Sequence, residues 1–303
     1  MLADFNYWLR DAQAKAYAVP HFNVWNAEMV MGVMDAAEEA DAPVIISFGT
    51  GFIQNTVYEA FAPMMLWMAK NSRVPTIVHW DHGRSFEIVL NAYRNGCNSV
   101  MRDASKLPFE ENIEETRRVV DFYHPRGVPV EAELGHVGDP GKYEDVLADY
   151  AYTDPSRAAE FVERTGCDAL AVAIGNLHGP YSSTPIIALD VLEAVRDAVD
   201  IPLVLHGGSG IPDEDVKRAL SLGVAKMNVH AELGQAAMEG IREDLDTNFL
   251  MTQQRVRSAL KQRALEKIEL LGATGRAASM PRILDTPQGG VDPVPDEDSG
   301  SCT

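Results

Sequence analysis

The sequence predicts a single-domain (β/α)8 barrel, the TIM barrel, and three observations carry that expectation. Eight short runs rich in Val, Ile and Leu recur along the chain; amphipathic stretches of helical period separate most of them; and no GxGxxG follows the first run, as an open dinucleotide-binding sheet would require. The runs cover residues 16–24, 42–49, 75–82, 98–104, 128–135, 168–175, 201–208 and 224–230. Each is too short for a helix and apolar nearly throughout, the pattern of parallel strands buried on both faces. After the first run, AEMVMGVMDAAEEA (27–40) sets Met29, Val33, Ala36 and Ala37 on one face and most of its acids on the other. Further helical patterns occupy 85–96, 108–124, 154–166, 188–199 and 212–223, several beginning at Ser, Asp or Pro and stopping at Gly. Residues 241–270 are helical in composition and predict an extra terminal helix. The barrel domain is placed at 1–275. The tail, 276–303, is rich in Pro, Gly, Ser and acid and buries too little apolar surface to offset its ordering entropy, so it is expected to be flexible.

The chain has 303 residues, 46% of them apolar, enough for a substantial core. With 45 acidic against 26 basic residues its formal charge is −19, which disfavours nucleic acid and anionic membranes as partners. Cys97, Cys167 and Cys302 are odd in number and far apart, which excludes a disulfide framework and a cysteine-based zinc motif. The first fifteen residues lack the apolar core of a secretory signal, and no run approaches the roughly 18 apolar residues of a membrane span. The cytoplasm is the expected compartment.

Barrel enzymes place their chemistry at the C-terminal ends of the strands. The polar residues there are Asn23, Asp81, His82, Asp103, Glu131, Glu133, His178, His206, Asn228 and His230. His82, His178 and His206 each close or follow a separate strand and each precede glycine, in DHG, LHG and LHG. Three imidazoles at one mouth match the ligand set of a catalytic zinc with an open position. His21, His79, His124 and His136 are read as structural. Asp81 beside His82 either orients that ligand or takes a proton from a substrate hydroxyl. Glu131 and Glu133 share strand parity and point into the barrel; Asp103 and Glu133 form a second metal site, or the acids join a buried network with Arg102 or Lys226. Asn23, Asn228 and His230 are candidate substrate contacts. The loop HGGSGIP after strand seven suits an anion, since its glycines let backbone N–H groups approach and a helix N-terminus follows. The glycine-bearing loop 136–149 could close over the mouth.

Together the blocks HWDHG, SVMRDAS, PFEENIEET, VEAELGHVG, YTDP, DALAVAIGNLHGPY, PLVLHGGSGIP and KMNV, in this order, resemble the class II, zinc-dependent ketose-bisphosphate aldolases of the fructose- and tagatose-bisphosphate group. The resemblance spans most of the barrel, from AVPHFNVWNAE to KMNVHAE. It implies reversible retro-aldol cleavage of a phosphorylated ketose to dihydroxyacetone phosphate and an aldehyde. By that resemblance His82, His178 and His206 hold Zn2+, and Asp81 is the acid/base at the C4 hydroxyl. Asp103 and Glu133 match a second, structural metal site. Gly179, Gly207, Gly208, Ser209 and Asn228 surround the dihydroxyacetone-phosphate moiety and a monovalent cation, Na+ or K+. Glu144 matches a mobile glutamate that moves the enediolate proton, and relatives assemble as homodimers or homotetramers.

Departures from the family pattern cluster on groups that recognise substrate. Asn-x-x-Thr after strand eight becomes Asn228, Val229, His230, Ala231, which removes a phosphate-binding hydroxyl and adds an imidazole. The loop after strand two, FGTGF, offers Gly49 and Thr50 where a serine is usual, and the mobile loop reads GDPGKYED, stiffened by Pro140. A ketose 1-phosphate or a non-phosphorylated hydroxy-ketone therefore stands as an alternative substrate. A Schiff-base aldolase using Lys226 and a catalytically silent scaffold are the other readings.

Overall fold

In the computed structural model, residues 1–138, 152–179, 183–243, 245–246 and 248–279 are described. Eight parallel strands close into a barrel in sequence order: β1 (Val19–Asn23), β2 (Val44–Gly49), β3 (Thr76–Gly83), β4 (Ser99–Arg102), β5 (Val130–Leu134), β6 (Ala169–Val172), β7 (Leu203–Leu205) and β8 (Val224–Val229). Seven strands fall inside their predicted runs, β3 extends one residue past its run to Gly83, and β8 pairs β1 to complete the ring. A helix lies in each connection between successive strands: α2 (Ala27–Glu39), α3 (Tyr58–Asn71), α4 (Phe86–Arg94), α5 (Phe109–Tyr123), α6 (Pro155–Thr165), α7 (Leu189–Ala198) and α8 (Asp213–Ser221). The last strand leads to α9 (Ala231–Arg242) and the long α10 (Phe249–Leu270), the extra helix expected from 241–270.

Three helices are absent from the sequence-based pattern, α9 being one of them. The first, α1 (Phe5–Lys15), precedes the barrel and closes its N-terminal end. Asp4 caps it by accepting from the Tyr7 N–H at 2.6 Å, Trp8 is fully buried, and the Phe5 ring stacks on His79 with centroids 5.7 Å apart. The second is α3, which carries Pro63 inside the helix.

On the outside, α10 crosses α2 at close range. A Cβ on Gly32 would meet Leu260 Cβ and Arg257 O at 2.9 Å each, so only glycine permits this approach. Arg257 grips Asp35 with two bonds of 2.6 and 2.8 Å beside the crossing. Beyond α10, Arg276–Ser279 form a short 3-10 turn, with the Ala277 N–H bonded to Asp41 O at 2.9 Å. Positions 280–303 of the predicted flexible tail lie outside the described residues.

The barrel interior is polar where a barrel is normally filled with branched apolar side chains. His21, Ser47, His79, Ser99, Glu131 and Lys226 are all fully buried there. His21 bonds Ser47 through Nε2 and His79 Nδ1 bonds Ser99 Oγ at 2.8 Å, while the second ring nitrogen of each is buried without a partner. Burial holds the His79 pKa down at about 3 despite the Glu131 charge nearby.

Candidate active site

The cleft at the C-terminal end of the barrel collects residues from every part of the sheet. Among the predicted site residues, Asn23, Asp81, His82, Asp103, Glu133 and His178 line it, as do Gly179, Gly207, Ser209, Asn228, His230 and Ala231. His206 is fully buried among them. Gly208 is not on the cleft wall: its N–H is bonded to Asn228 O at 3.0 Å, and a Cβ there would strike Met227 Cε at 2.3 Å. Glu144 and most of the loop expected to close the mouth lie outside the described residues.

Asp81 and His82 are sequence neighbours on a strand and would ordinarily face opposite sides of the sheet. Both line the cleft because β3 breaks register against β4 between Trp80 and Gly83, and His82 adopts a left-handed φ of +49°. A bulge that re-aims one side chain next to a site is a known use of such an irregularity. Here it swings the imidazole inward beside a carboxylate that already points inward. Gly207 plays a similar part after β7: its φ is +62°, and a Cβ would lie 2.0 Å from Leu177 O.

Unpartnered buried ring nitrogens also occur deeper in the barrel, on His21 and His79, whose side chains group with Asp81; at the cleft the three imidazoles share this property. His82 Nε2, His178 Nε2 and His206 Nδ1 are buried without a hydrogen-bond partner, and the three side chains offer ring nitrogens within 4.8 Å of one another. Their opposite nitrogens are fixed where the structure shows a partner. His82 Nδ1 is 2.9 Å from Asp103 Oδ2, and His206 Nε2 is 2.9 Å from Glu131 Oε1. Carboxylates behind two imidazoles orient the rings and set which nitrogen keeps its lone pair. Buried polar atoms are seldom left unpaired, so three converging lone pairs fit a bound cation. Glu133 Oε2, also unpaired and 3.6 Å from His206 Nδ1, completes a donor set of nitrogen and oxygen that suits zinc.

Asp103 and Glu133 also form a group with His82 whose ligand atoms lie within 4.8 Å. Asp103 is strongly engaged by protein, with Oδ2 on His82 and Oδ1 accepting from Ser105 N at 3.2 Å and Ser105 Oγ at 2.8 Å. Glu133 Oε1 accepts from Val137 N at 3.0 Å. Glu131 joins the lysine network: Lys226 Nζ lies 3.1 and 2.9 Å from its two oxygens. Arg102 does not join it, turning instead to Glu115 at 2.9 Å and to Asp103 O at 2.6 Å.

Asp81 is held between two amides. Asn23 Nδ2 donates to Oδ2 at 2.9 Å and Asn228 Nδ2 donates to Oδ1 at 3.0 Å. Burial alone would raise its pKa, but the charges of His82 and the neighbouring cations outweigh burial and keep it well below the usual carboxylate range. Asp81 is therefore an ionised acceptor at neutral pH. For His82 burial works downward, yet Asp81 and the bond to Asp103 push it up to about 10. His178 is displaced the other way, lowered by burial and by its two imidazole neighbours.

A pH dependence follows for the metal-free protein. A raised folded pKa means that His82 carries a proton at pH 7, and a metal ligand must lose it. Metal affinity is expected to rise by about tenfold per pH unit up to about pH 10, with one proton released per ion bound. Calorimetric titration with zinc in buffers of different ionisation enthalpy reads that proton directly. Affinity that is flat between pH 6 and 9 would show that His82 is already neutral in the metal-free protein over that range.

Several cleft residues were not among the candidate site residues read from the sequence, which named His136 only as structural. Arg84 and Lys106 bring two cationic side chains to the rim, and His136 lines the wall with its Nδ1 3.2 Å from Ser105 Oγ. Phe52 stacks on Trp25 with centroids 4.7 Å apart, and His230 stands edge-on to both, at 5.1 and 5.4 Å. Burial lowers the His230 pKa, so this imidazole is neutral at pH 7. The sequence carried a signal only for His136, which follows the glycine of a strand-ending block just as the others precede one.

The model of the family "Fructose-bisphosphate aldolase class-II" matches residues 3–276. The chain is 62% identical over 277 residues to the protein YdjI of Escherichia coli (strain K12), covering 91% of this chain and 100% of that one. It is 41% identical over 288 residues to a fructose-bisphosphate aldolase of Geobacillus stearothermophilus, covering 91% and 99%. The crystal structure of the YdjI aldolase superposes with a TM-score of 0.85 at 59% identity, covering 91% of this chain and all of that one, at 100%. With its barrel, its mouth of paired histidines and acids, and these relatives, the chain belongs to the class II fructose-bisphosphate aldolase family and is a carbon–carbon lyase of that class.

Proposed function

We propose that the protein is a metal-dependent aldolase that reversibly cleaves a phosphorylated ketose, of the fructose- or tagatose-bisphosphate type, to dihydroxyacetone phosphate and an aldehyde. The observation that carries this reading is the set of three unpartnered imidazole nitrogens beside a carboxylate fixed by two amides. His82, His178 and His206 would hold a zinc ion, which supplies Lewis acidity toward a carbonyl oxygen when bound. Everything else is the work of the chain's own groups.

Asp81 accepts the proton of the substrate C4 hydroxyl as the C3–C4 bond breaks, and returns it in the condensation direction. Asn23 and Asn228 aim both of its oxygens and stabilise its charge, so the base is oriented before substrate arrives. On the far side, Gly207 and Ser209 form a concavity next to the start of α9. Ser209 Oγ accepts from the N–H groups of His230 and Glu232 at 3.4 Å each, leaving the hydroxyl proton to donate to an anion. Ala231 adds no hydroxyl there. Arg84 and Lys106 put positive charge at the rim of a protein whose net charge is −19, which favours an anionic substrate at the mouth.

A Schiff-base mechanism through Lys226 is disfavoured. Its ammonium group is fully buried, is bonded to Glu131 and Asn228, and does not line the cleft. A nucleophilic lysine needs a free amine facing substrate. The test is retro-aldol turnover over ketose mono- and bisphosphates and unphosphorylated ketoses, before and after chelation. Cleavage abolished by the chelator and restored by zinc is expected, with a phosphorylated ketose preferred. Chelator-resistant cleavage, or none by fully metal-loaded protein, would overturn the reading.

A further inference from the structure

We propose that Lys226, buried in the barrel directly behind the cleft-lining Asn228, is the positioning residue that sets both halves of the site. It fixes the tautomer of His206 through Glu131 and the direction of the Asn228 amide that holds Asp81. The inference rests on the aldolase reading for the roles of His206 and Asp81, and otherwise on geometry alone.

The chain of contacts is continuous. Lys226 Nζ lies 3.1 Å from Glu131 Oε1 and 2.9 Å from Oε2, and Glu131 Oε1 lies 2.9 Å from His206 Nε2. In the other direction Lys226 Nζ donates to Asn228 Oδ1 at 2.7 Å, and Asn228 Nδ2 donates to Asp81 Oδ1 at 3.0 Å. Lys226, Glu131 and His206 are fully buried, while Asn228 and Asp81 are each 5% exposed, so water does not substitute for a missing partner along this path. The strands place the groups: Lys226 and Asn228 are two residues apart on β8 and share a face, and Glu131 projects inward from β5 across the barrel.

The donor inventory makes the lysine decisive. An ammonium group can only donate. The Asn228 side chain must therefore turn its carbonyl oxygen toward Lys226, which leaves only its NH2 for Asp81. Without the lysine the amide can rotate by half a turn and present an oxygen to the Asp81 carboxylate, a repulsive contact. Lys226 likewise holds Glu131 as an acceptor. His206 then carries its proton on Nε2 and keeps the Nδ1 lone pair, which is the unpartnered nitrogen. One cation thus determines a donor orientation on the base side and a lone-pair orientation on the metal side.

Lys226→Met removes the donors with little change in length. Because it strands the Glu131 charge, the companion variant is Glu131→Gln/Lys226→Met, which adds no unpaired charge. Both are expected to lower kcat by about 10–100-fold with KM nearly unchanged, since neither residue touches substrate. Zinc affinity is expected to weaken by about 10–100-fold, and the visible absorption of cobalt-substituted protein to change. Selective 15N-histidine NMR on the unaltered metal-free protein adds a measurement that needs no variant: His206 is expected as the Nε2–H tautomer. A folded double variant with kcat, zinc affinity and cobalt absorption all within about twofold of the parent, or an Nδ1–H tautomer for His206, would overturn the proposal. If the parent cleaves no ketose phosphate, the aldolase reading fails, while the affinity, absorption and tautomer results still decide the role of Lys226.

Discussion

His178→Ala is expected to lose bound metal and carbon–carbon cleavage together while keeping the fold. The residue follows β6 in a loop, with its backbone N–H held by Gly138 O at 3.0 Å. Its Nε2 has no hydrogen-bond partner, and its ring meets the other two imidazoles at centroid distances of 4.7 and 5.8 Å. Removing it from metal-free protein takes away an unsatisfied buried atom, so the metal-free melting temperature should stay level or rise. Ligand-bound stability should change in the opposite sense. A ligand at about 100 times its Kd adds roughly 2.7 kcal/mol to a folded protein, and that increment should vanish for the variant at the same zinc concentration. Lewis acidity of several kcal/mol corresponds to a loss of about a thousandfold or more in kcat. Metal analysis after gel filtration, melting with and without zinc, and retro-aldol kinetics measure the three quantities. Wild-type metal content or turnover in the variant would remove His178 from the centre.

The barrel was legible because its strands are buried on both faces, which writes them as unbroken apolar runs of a length no helix shares. The exceptions inside those runs were legible for the same reason: a carboxylate such as Glu131 or Glu133 in a run of Val, Ala and Leu has to be paired or bound. The sequence could not show how Asp81 and His82 both reach the cleft. That depends on a register break and on a left-handed residue, which nothing at position 82 announces. Nor could it show the path from Lys226 through Asn228 to Asp81, because those contacts depend on the stagger of β8 and β3 around a closed ring. The missed helix α3 has a physical excuse. Pro63 reads as a breaker, and Met64, Leu66, Trp67 and Met68 around its buried face blur the apolar stripe. Rim residues such as Arg84 and Lys106 belong to loops whose course is set by the scaffold, and loop position is what local pattern describes least well.

Asp81→Ala is expected to separate chemistry from metal binding, the reverse of His178→Ala. Its oxygens are spoken for by Asn23 and Asn228, and it contributes none of the three unpartnered imidazole nitrogens. Bound metal should therefore survive. Zinc affinity near pH 7 should even increase slightly, because the Asp81 charge is one of the influences that keep His82 protonated in the metal-free state. Turnover should fall by about 10²–10⁴, the usual contribution of a positioned general base, with KM changing far less. Leaving two amide donors without their acceptor should destabilise the fold by about 1–3 kcal/mol, so melting must be measured alongside kinetics. The decisive comparison is between the two halves of the reaction. A base confined to the C4 hydroxyl is not needed to exchange the C3 proton of dihydroxyacetone phosphate with solvent, so that exchange should persist in deuterium oxide while cleavage of the intact ketose is lost. Loss of both at once, with metal retained, would place Asp81 on the donor half. Loss of metal with activity would make it part of the metal centre, and kcat within tenfold of the parent would assign the hydroxyl proton to another group.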